Sequence, residues 1–234
     1  MRKIACFVLL CFMSCGAFAA DKYRNFAELA AATAEGTDYR IAAINRKAAV
    51  TVFAIHGGEI EQGTDDIAMA CSGGDWNFYA FLALSSASAR DMHITATHFD
   101  EPAAVWFATG AVIGLAMHGQ DETGDVVCVG GGNDSLRKKI AAALASAGFE
   151  TETPCKRLPG RSAANIVNRA RLGGVQFEFS QDILRKLETS QELRGRFCEI
   201  VRRETGGYLK KTDARFVPAR VSVPHVGGGY FLRR

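Results

Sequence analysis

Two histidines in this sequence follow apolar runs and are themselves followed by glycine. His56 comes after the run 49–55 and stands before two glycines, with Glu59 and Glu61 a few residues downstream. His118 follows a second continuous apolar run in the same way. Glycine lets the backbone turn sharply where a strand ends. These two histidines and the acidic residues near them are therefore the first candidates for chemistry.

Two imidazoles and one carboxylate form a common set of protein ligands for catalytic zinc, and they leave a fourth position for water or substrate. His56 and His118 supply the imidazoles, and either Glu59 or Glu61 supplies the carboxylate. The residue types alone leave the choice between the two glutamates open. A single histidine at a strand end is more often a structural residue, so it is the combination that predicts a zinc site.

A third carboxylate lies inside a strand-like segment with two aromatic residues. Glu178 stands between Phe177 and Phe179 in the alternating stretch 174–179. Alternation places its side chain on the face opposite the two rings. A carboxylate on a half-buried strand is costly to bury unless it is paired or functional. Glu178 is therefore either a functional residue or a solvated position on an exposed face.

The elements that must position these residues are a mixture of strands and helices. Strands are predicted over 39–44, 49–55, 93–98, 111–117, 126–129 and 174–179, and helices over 26–32, 63–69, 76–84, 135–147 and 191–205. Such a mixture predicts an α/β domain with a mixed sheet and flanking helices. Open α/β sheets bind ligands at the carboxyl ends of their strands, which is where both histidines fall.

The amino-terminal residues predict export. A positive start, an apolar stretch and the Ala17-Phe18-Ala19 pattern make 1–20 a signal peptide, with the domain that carries the predicted zinc site in 21–234. The whole chain has 234 residues and a net charge of +3, and removal of 1–20 lowers the charge to +1. This balance is too weak to indicate a nucleic-acid partner. We expect a secreted or periplasmic protein whose mature form has no membrane segment.

The cysteines agree with an exported protein. Removal of residues 1–20 leaves Cys71, Cys128, Cys155 and Cys198, with no Cys-x-x-Cys pair among them. Four cysteines allow two disulfides in three pairings, and the sequence does not choose between these pairings.

Several short motifs, in order along the chain, resemble the poly-γ-glutamate hydrolase family. They are Ile55-His56-Gly57-Gly58-x-Ile60-Glu61-x-Gly63-Thr64, Thr97-His98-Phe99-Asp100-Glu101-Pro102, His118-Gly119, Asn165-x-x-Asn168-Arg169 and Gly174-Val175-Gln176-Phe177-Glu178-Phe179-Ser180. The family is similar in fold to the zinc carboxypeptidases. The resemblance implies a single domain with a mixed sheet flanked by helices, one bound Zn²⁺ and hydrolysis of γ-glutamyl amide bonds.

The resemblance also implies roles for individual residues. His56, Glu61 and His118 fall at the positions of the zinc ligands, and Glu178 falls at the position of the catalytic glutamate. The sequence departs from the family at Glu59, where glycine is usual. Glu59 also has the His-x-x-Glu spacing of the zinc carboxypeptidases, so it stays the alternative to Glu61.

The implied substrate is an anionic γ-glutamyl polymer or peptide, acted on by a monomer. Arg169 or Arg171 could hold a substrate carboxylate or stabilise the oxyanion, and Asn168 lies in the same motif. Two other functions remain open. One is a zinc amidase or peptidase acting on cell-wall peptides. The other is a non-catalytic binding or nucleic-acid protein, against which the export signal and the near-neutral charge argue.

Overall fold

The computed structural model describes residues 21–212 and 230–231, and within them eight strands form one mixed sheet. The strands are β1 (Tyr39–Ile44), β2 (Val50–Gly58), β3 (Asn77–Ala83), β4 (Ile113–Gly119), β5 (Val126–Gly130), β6 (Glu150–Glu152), β7 (Gly174–Phe179) and β8 (Tyr230–Phe231). The helices are α1 (Phe26–Ala32), α2 (Thr64–Ser72), α3 (Pro102–Gly110), α4 (Asp134–Ser146), α5 (Gln181–Thr189) and α6 (Gln191–Lys211). Short 3₁₀ turns cover Ala89–Met92 and Ile166–Arg169.

The centre of the sheet is parallel. The strand order is β6-β5-β7-β4-β2-β3-β1-β8, and β7, β4, β2 and β3 all run in the same direction. Strand β5 pairs antiparallel with β7, and β1 pairs antiparallel with β3. Every residue of β3 and β7 is buried, as expected for strands covered on both faces. The carboxyl ends of β2, β4 and β7 consequently meet at one edge of the sheet.

Helices cover both faces of the sheet. Helices α2, α4, α5 and α6 pack on one face, where Phe197 of α6 contacts the rings of Phe177 and Phe179. Helices α1 and α3 pack on the other face, against a core that includes Phe53 and Phe81. The prediction of a single mixed sheet flanked by helices is confirmed.

Two predicted elements are wrong. The segment 76–84 is strand β3 rather than a helix. Both of its faces are buried, so the alternation that marks a strand is missing from its sequence. The segment 93–98 is not a strand, because the 3₁₀ turn Ala89–Met92 leads instead into a loop. Helices α3 and α5 were absent from the predicted elements.

Two disulfides join parts of the chain that are distant in sequence. Cys71 of α2 pairs with Cys198 of α6, and Cys128 of β5 pairs with Cys155 in the segment after β6. The structure thus selects one of the three pairings that the sequence allows. The predicted signal peptide lies outside the described residues. Within 21–212, each helix is too short or too polar to cross a bilayer.

Candidate metal centre

The two predicted histidines meet because their strands are parallel neighbours. His56 lies near the carboxyl end of β2, and His118 lies near the carboxyl end of β4. Glu61 follows β2 in the turn that leads into α2, where the Glu61 N–H donates to the His56 carbonyl. This short turn folds the Glu61 side chain back over the end of the strand, beside both rings.

The three side chains present their ligand atoms to one another. His56 Nδ1 lies 2.8 Å from Glu61 Oε1, and His118 Nδ1 lies 3.2 Å from His56 Nδ1 and 3.4 Å from Glu61 Oε2. One ligand atom from each residue can be chosen so that all lie within 4.8 Å of one another. The histidine side chains are 4% exposed and the Glu61 side chain is 15% exposed. The cluster is therefore compact and nearly closed to solvent.

Backbone groups fix the orientation of the cluster. His56 Nε2 lies 2.9 Å from the Ile94 carbonyl oxygen, and the Gly119 N–H donates to Glu61 Oε2 over 2.9 Å. A carbonyl can only accept, so His56 carries a proton on Nε2. In the neutral ring, Nδ1 of His56 therefore carries a lone pair, and this lone pair faces a carboxylate oxygen and a second imidazole nitrogen. These atoms require a cation or a proton between them, and their types and spacing fit zinc.

The electrostatics of Glu61 suit a metal ligand. Burial by itself would raise the pKa of Glu61, but the charges and hydrogen bonds of His56 and His118 outweigh burial. The pKa of this carboxyl therefore lies well below its usual range, and the group stays ionised. In addition, His118 Nε2 is buried without a hydrogen-bond partner among the described residues.

Glu178 lies beside the cluster rather than on a solvated face. It is opposite His118 in the register of β7 and β4, and it is 5% exposed. Its Oε1 accepts a hydrogen bond from Gln176 Nε2 over 2.8 Å, and Gln176 Oε1 accepts one from Asn165 Nδ2 over 2.8 Å. Neither amide is among the functional residues predicted from the sequence. The i, i+2 spacing of Gln176 and Glu178 places these two side chains on one face of the strand, and this spacing could have identified Gln176.

Burial is the main cause of a raised pKa at Glu178, and the negative charge of Glu61 adds to it. The charges of His56 and Arg157 act in the opposite direction. Arg157 lies in the segment after β6, where its guanidinium forms an ion pair with Glu122 over 3.1 Å and is 41% exposed. Arg157 is not among the residues predicted from the sequence, because nothing in the local pattern links it to β7.

The alternative ligand Glu59 points elsewhere. Its Oε2 accepts a hydrogen bond from Gln62 Nε2 over 2.7 Å, and its backbone N–H donates to the Ala83 carbonyl. The structure brings Glu61, and not Glu59, to the two histidines.

The predicted substrate contacts lie outside the cluster. The Asn168 amide joins two loops, since Oδ1 accepts from the Gly132 N–H and Nδ2 donates to the Gly160 and Ser162 carbonyls. The Arg169 guanidinium donates to the Ala164 carbonyl over 3.3 Å.

Arg171 lies near the amino end of β4, where its N–H donates to the Ala111 carbonyl. The seven residue steps from Ala111 to His118 span about 23 Å at the rise of a strand. The role of Asn168, Arg169 and Arg171 in binding substrate stays a prediction.

Fold and site together define a mixed α/β domain whose parallel strands carry a candidate metal centre at their carboxyl ends. A model of the family described as poly-gamma-glutamate hydrolase matches residues 23–203. The chain therefore belongs to the poly-γ-glutamate hydrolase family, and the resemblance drawn from its motifs is confirmed.

Individual relatives match most of this chain. The SPbeta prophage-derived protein YoqZ of Bacillus subtilis strain 168 is 34% identical over 76% of this chain, and the match spans 65% of YoqZ, just under two thirds of its length. YndL of the same organism is 34% identical over 73% of this chain and 68% of its own.

Two solved structures have the same fold. One is a bacteriophage poly-γ-glutamate hydrolase, with a TM-score of 0.77 and 28% identity over 82% of this chain and 100% of its own. The other is a zinc-free apo form of YndL, with a TM-score of 0.74 and 30% identity over 80% of this chain and 98% of its own.

Proposed function

We propose that this chain is an exported, zinc-dependent hydrolase that cleaves γ-glutamyl amide bonds of poly-γ-glutamate or a related acidic peptide. The observation that carries the proposal is the convergence of two imidazoles and a carboxylate next to a separate buried carboxyl, Glu178. The family supplies the substrate class, and the zinc-free form of YndL makes zinc the natural choice of metal.

His56, Glu61 and His118 would hold one Zn²⁺. When bound, zinc supplies a Lewis acid for the amide carbonyl and lowers the pKa of a water toward neutrality. Glu178, in its ionised form, accepts the proton of the attacking water and passes it to the leaving amine nitrogen. The positive charge of a bound Zn²⁺ would favour this form over the protonated form that burial favours in the metal-free protein. Gln176 holds Glu178 in place for both transfers, since its amide donates to one oxygen of the carboxyl group.

Recognition of an anionic chain must come from a few placed residues, because the predicted mature chain carries a charge of only +1. Every residue of a γ-glutamyl polymer carries a free α-carboxylate. Arg157 is well placed to contact one, since its charge acts on Glu178 and its side chain is partly open to solvent. The ion pair with Glu122 limits the positions that this guanidinium can adopt.

Export is part of the same proposal. All four cysteines of the described residues are in disulfides, which form and persist in exported proteins. The predicted signal peptide 1–20 would deliver the chain to such a compartment. A secreted or periplasmic location also brings the enzyme to extracellular polymers. Expression of the full-length chain, followed by fractionation and sequencing of the mature amino terminus, tests this part.

The activity is tested with purified protein and poly-γ-glutamate, by following the size of the polymer with size-exclusion chromatography. We expect fragments, no fragments after treatment with a chelator, and recovery on addition of zinc. α-Linked polyglutamate is the matched control, because it has the same charge and a different amide linkage. Equal cleavage of both polymers, or no cleavage with zinc present, would overturn the proposal.

Two further measurements separate the alternatives. Cleavage of cell-wall peptides without cleavage of poly-γ-glutamate would assign the chain to the amidase alternative. Tight binding of DNA at moderate salt, without hydrolysis of either substrate, would favour a nucleic-acid protein.

A further inference from the structure

A loop segment lies against the candidate ligand His56. The rings of His93 and His56 are 4.1 Å apart between centroids, with 34° between their planes. The next residue, Ile94, supplies the carbonyl that lies 2.9 Å from His56 Nε2. Consecutive residues of one loop thus limit both the position of the His56 ring and its tautomer.

A distant carboxylate holds this loop from both sides of Ile94. Asp21 Oδ1 lies 2.8 Å from His93 Nδ1, and Asp21 Oδ2 accepts a hydrogen bond from the Thr95 N–H over 2.7 Å. The Asp21 side chain is only 11% exposed, although it lies at the start of the described chain. The segment has no strand partners. Besides Asp21, two backbone hydrogen bonds hold it, from the His93 N–H to the Arg90 carbonyl and from the Ile166 N–H to the Ala96 carbonyl.

We propose that Asp21 and His93 are positioning residues for the metal centre, and that they act by fixing the Ile94 carbonyl and the ring of His56. This inference shares one premise with the proposed function, namely that His56 is a zinc ligand. Neither residue is assigned contact with zinc or with substrate.

The physical reason is that groups which contact the ligands of a metal, and not the metal itself, fix the orientation of those ligands. A ligating imidazole binds best when its other nitrogen donates to a fixed acceptor, and loss of such a partner typically lowers metal affinity or activity about 10–100-fold. Removal of the Asp21 carboxylate leaves the His93 ring and the Thr95 N–H without their acceptor. The Ile94 carbonyl is then held less firmly, and His56 can rotate or change tautomer.

The position of Asp21 adds a consequence for export. Cleavage after Ala19 or Ala20 keeps Asp21 in the mature chain, within its first two residues. A chain that begins at Tyr23 would lack the carboxylate and should behave like Asp21→Ala. The proposed signal peptidase site and the metal centre would therefore constrain each other.

The experiment compares the rate at which the zinc-loaded protein loses its metal to an excess of chelator. Asp21→Ala should release zinc about 10–100-fold faster than the wild type. Asp21→Asn should show a smaller effect, because it keeps one oxygen acceptor.

The matched control is Asp91→Ala. It removes the solvent-exposed ion pair between Lys22 and Asp91, 2.5 Å long, which ties the same amino-terminal segment to the neighbouring turn without reaching His56. This variant should release zinc at the wild-type rate.

A second readout distinguishes positioning from general stability. The visible spectrum of the cobalt-substituted protein reports ligand geometry, so it should change in Asp21→Ala and stay unchanged in Asp91→Ala. Wild-type zinc release and an unchanged cobalt spectrum in folded Asp21→Asn and Asp21→Ala would overturn the inference. Wild-type protein that holds zinc but cleaves no polymer would instead overturn the proposed function alone, and wild-type protein that holds no zinc would overturn both.

Discussion

Replacement of Glu178 with glutamine should lower activity and raise stability, because Glu178 is a buried carboxyl that can gain and lose a proton and glutamine is not. Glu178 is buried beside Glu61, so its ionised form is disfavoured in the folded protein. Glutamine has nearly the same shape and stays neutral. Its side-chain oxygen can still accept the hydrogen bond from Gln176, and His56, Glu61 and His118 are untouched. Zinc content should therefore match that of the wild type.

The effect on activity follows from the loss of a proton acceptor. General acid–base catalysis typically contributes 10²–10⁴-fold, or about 3–5 kcal/mol of the barrier. We expect kcat for poly-γ-glutamate to fall by about this factor, with little change in KM, because Glu178 acts on water rather than on the polymer. Glu150→Gln, an exposed glutamate on β6, is the matched control and should leave kcat unchanged.

The effect on stability has a definite sign. The folded state raises the pKa of Glu178 above its ordinary value of 4.5, so the folded protein binds more protons than the unfolded chain once the pH exceeds that value. Stability contributed by the protonated group is therefore lost as the pH rises toward the folded pKa. In metal-free protein, Glu178→Gln should be more stable than the wild type, and the difference should grow from pH 4.5 upward. Denaturant unfolding in the presence of chelator measures this difference.

Two results would refute this reasoning. Activity of Glu178→Gln close to that of the wild type would remove Glu178 from the mechanism. A stability difference that is the same at pH 5 and pH 8 would show that the carboxyl is not held in its neutral form. Loss of zinc from the variant would indicate instead that Glu178 is a ligand.

Three further predictions follow from the same structure. Glu61→Gln should lose zinc on dialysis while Glu59→Gln keeps it, because only Glu61 of these two glutamates faces the two histidines. Metal analysis of the dialysed proteins measures this difference. Arg157→Ala should raise KM for poly-γ-glutamate about tenfold, since charged hydrogen bonds contribute about 1.5–3 kcal/mol and the partial exposure of Arg157 places it at the low end of this range. Arg203→Ala, which removes an exposed arginine from α6, should not change KM in the same steady-state assay. Cys71→Ala should reduce the free energy of unfolding by about 2–5 kcal/mol in a denaturant titration, because it opens the bridge between α2 and α6.

The parts of the fold that the sequence predicted are those with a clear pattern. Strands β2, β4 and β7 carry apolar or alternating runs. The first two end at a His-Gly sequence or just after it, and serine follows the third, so their positions and the edge they share could be foreseen. Strand β3 was mistaken for a helix because burial of both faces removes the alternation. Segment 93–98 alternates like a strand, but Asp21, more than 70 residues away, holds part of it as a loop.

In the candidate site, too, some groups could be predicted from the sequence and others could not. His56, Glu61, His118 and Glu178 could be chosen from sequence because few residue types bind zinc or transfer protons, and each stands where a strand ends or alternates. The groups that orient them have no such signature. The Ile94 carbonyl and the Gly119 N–H are backbone atoms that almost any residue could supply.

Contacts between distant parts of the chain also orient Glu178. Gln176 donates a hydrogen bond to Glu178, and Asn165, which lies in the loop before β7, donates one to Gln176. Arg157 acts on Glu178 from a segment that the Cys128–Cys155 disulfide fastens to β5. Residue chemistry thus limits which side chains can bind and react, whereas the geometry that makes them competent depends on contacts between distant parts of the chain. Substitutions at the orienting residues should therefore alter metal release and kcat before they alter the fold.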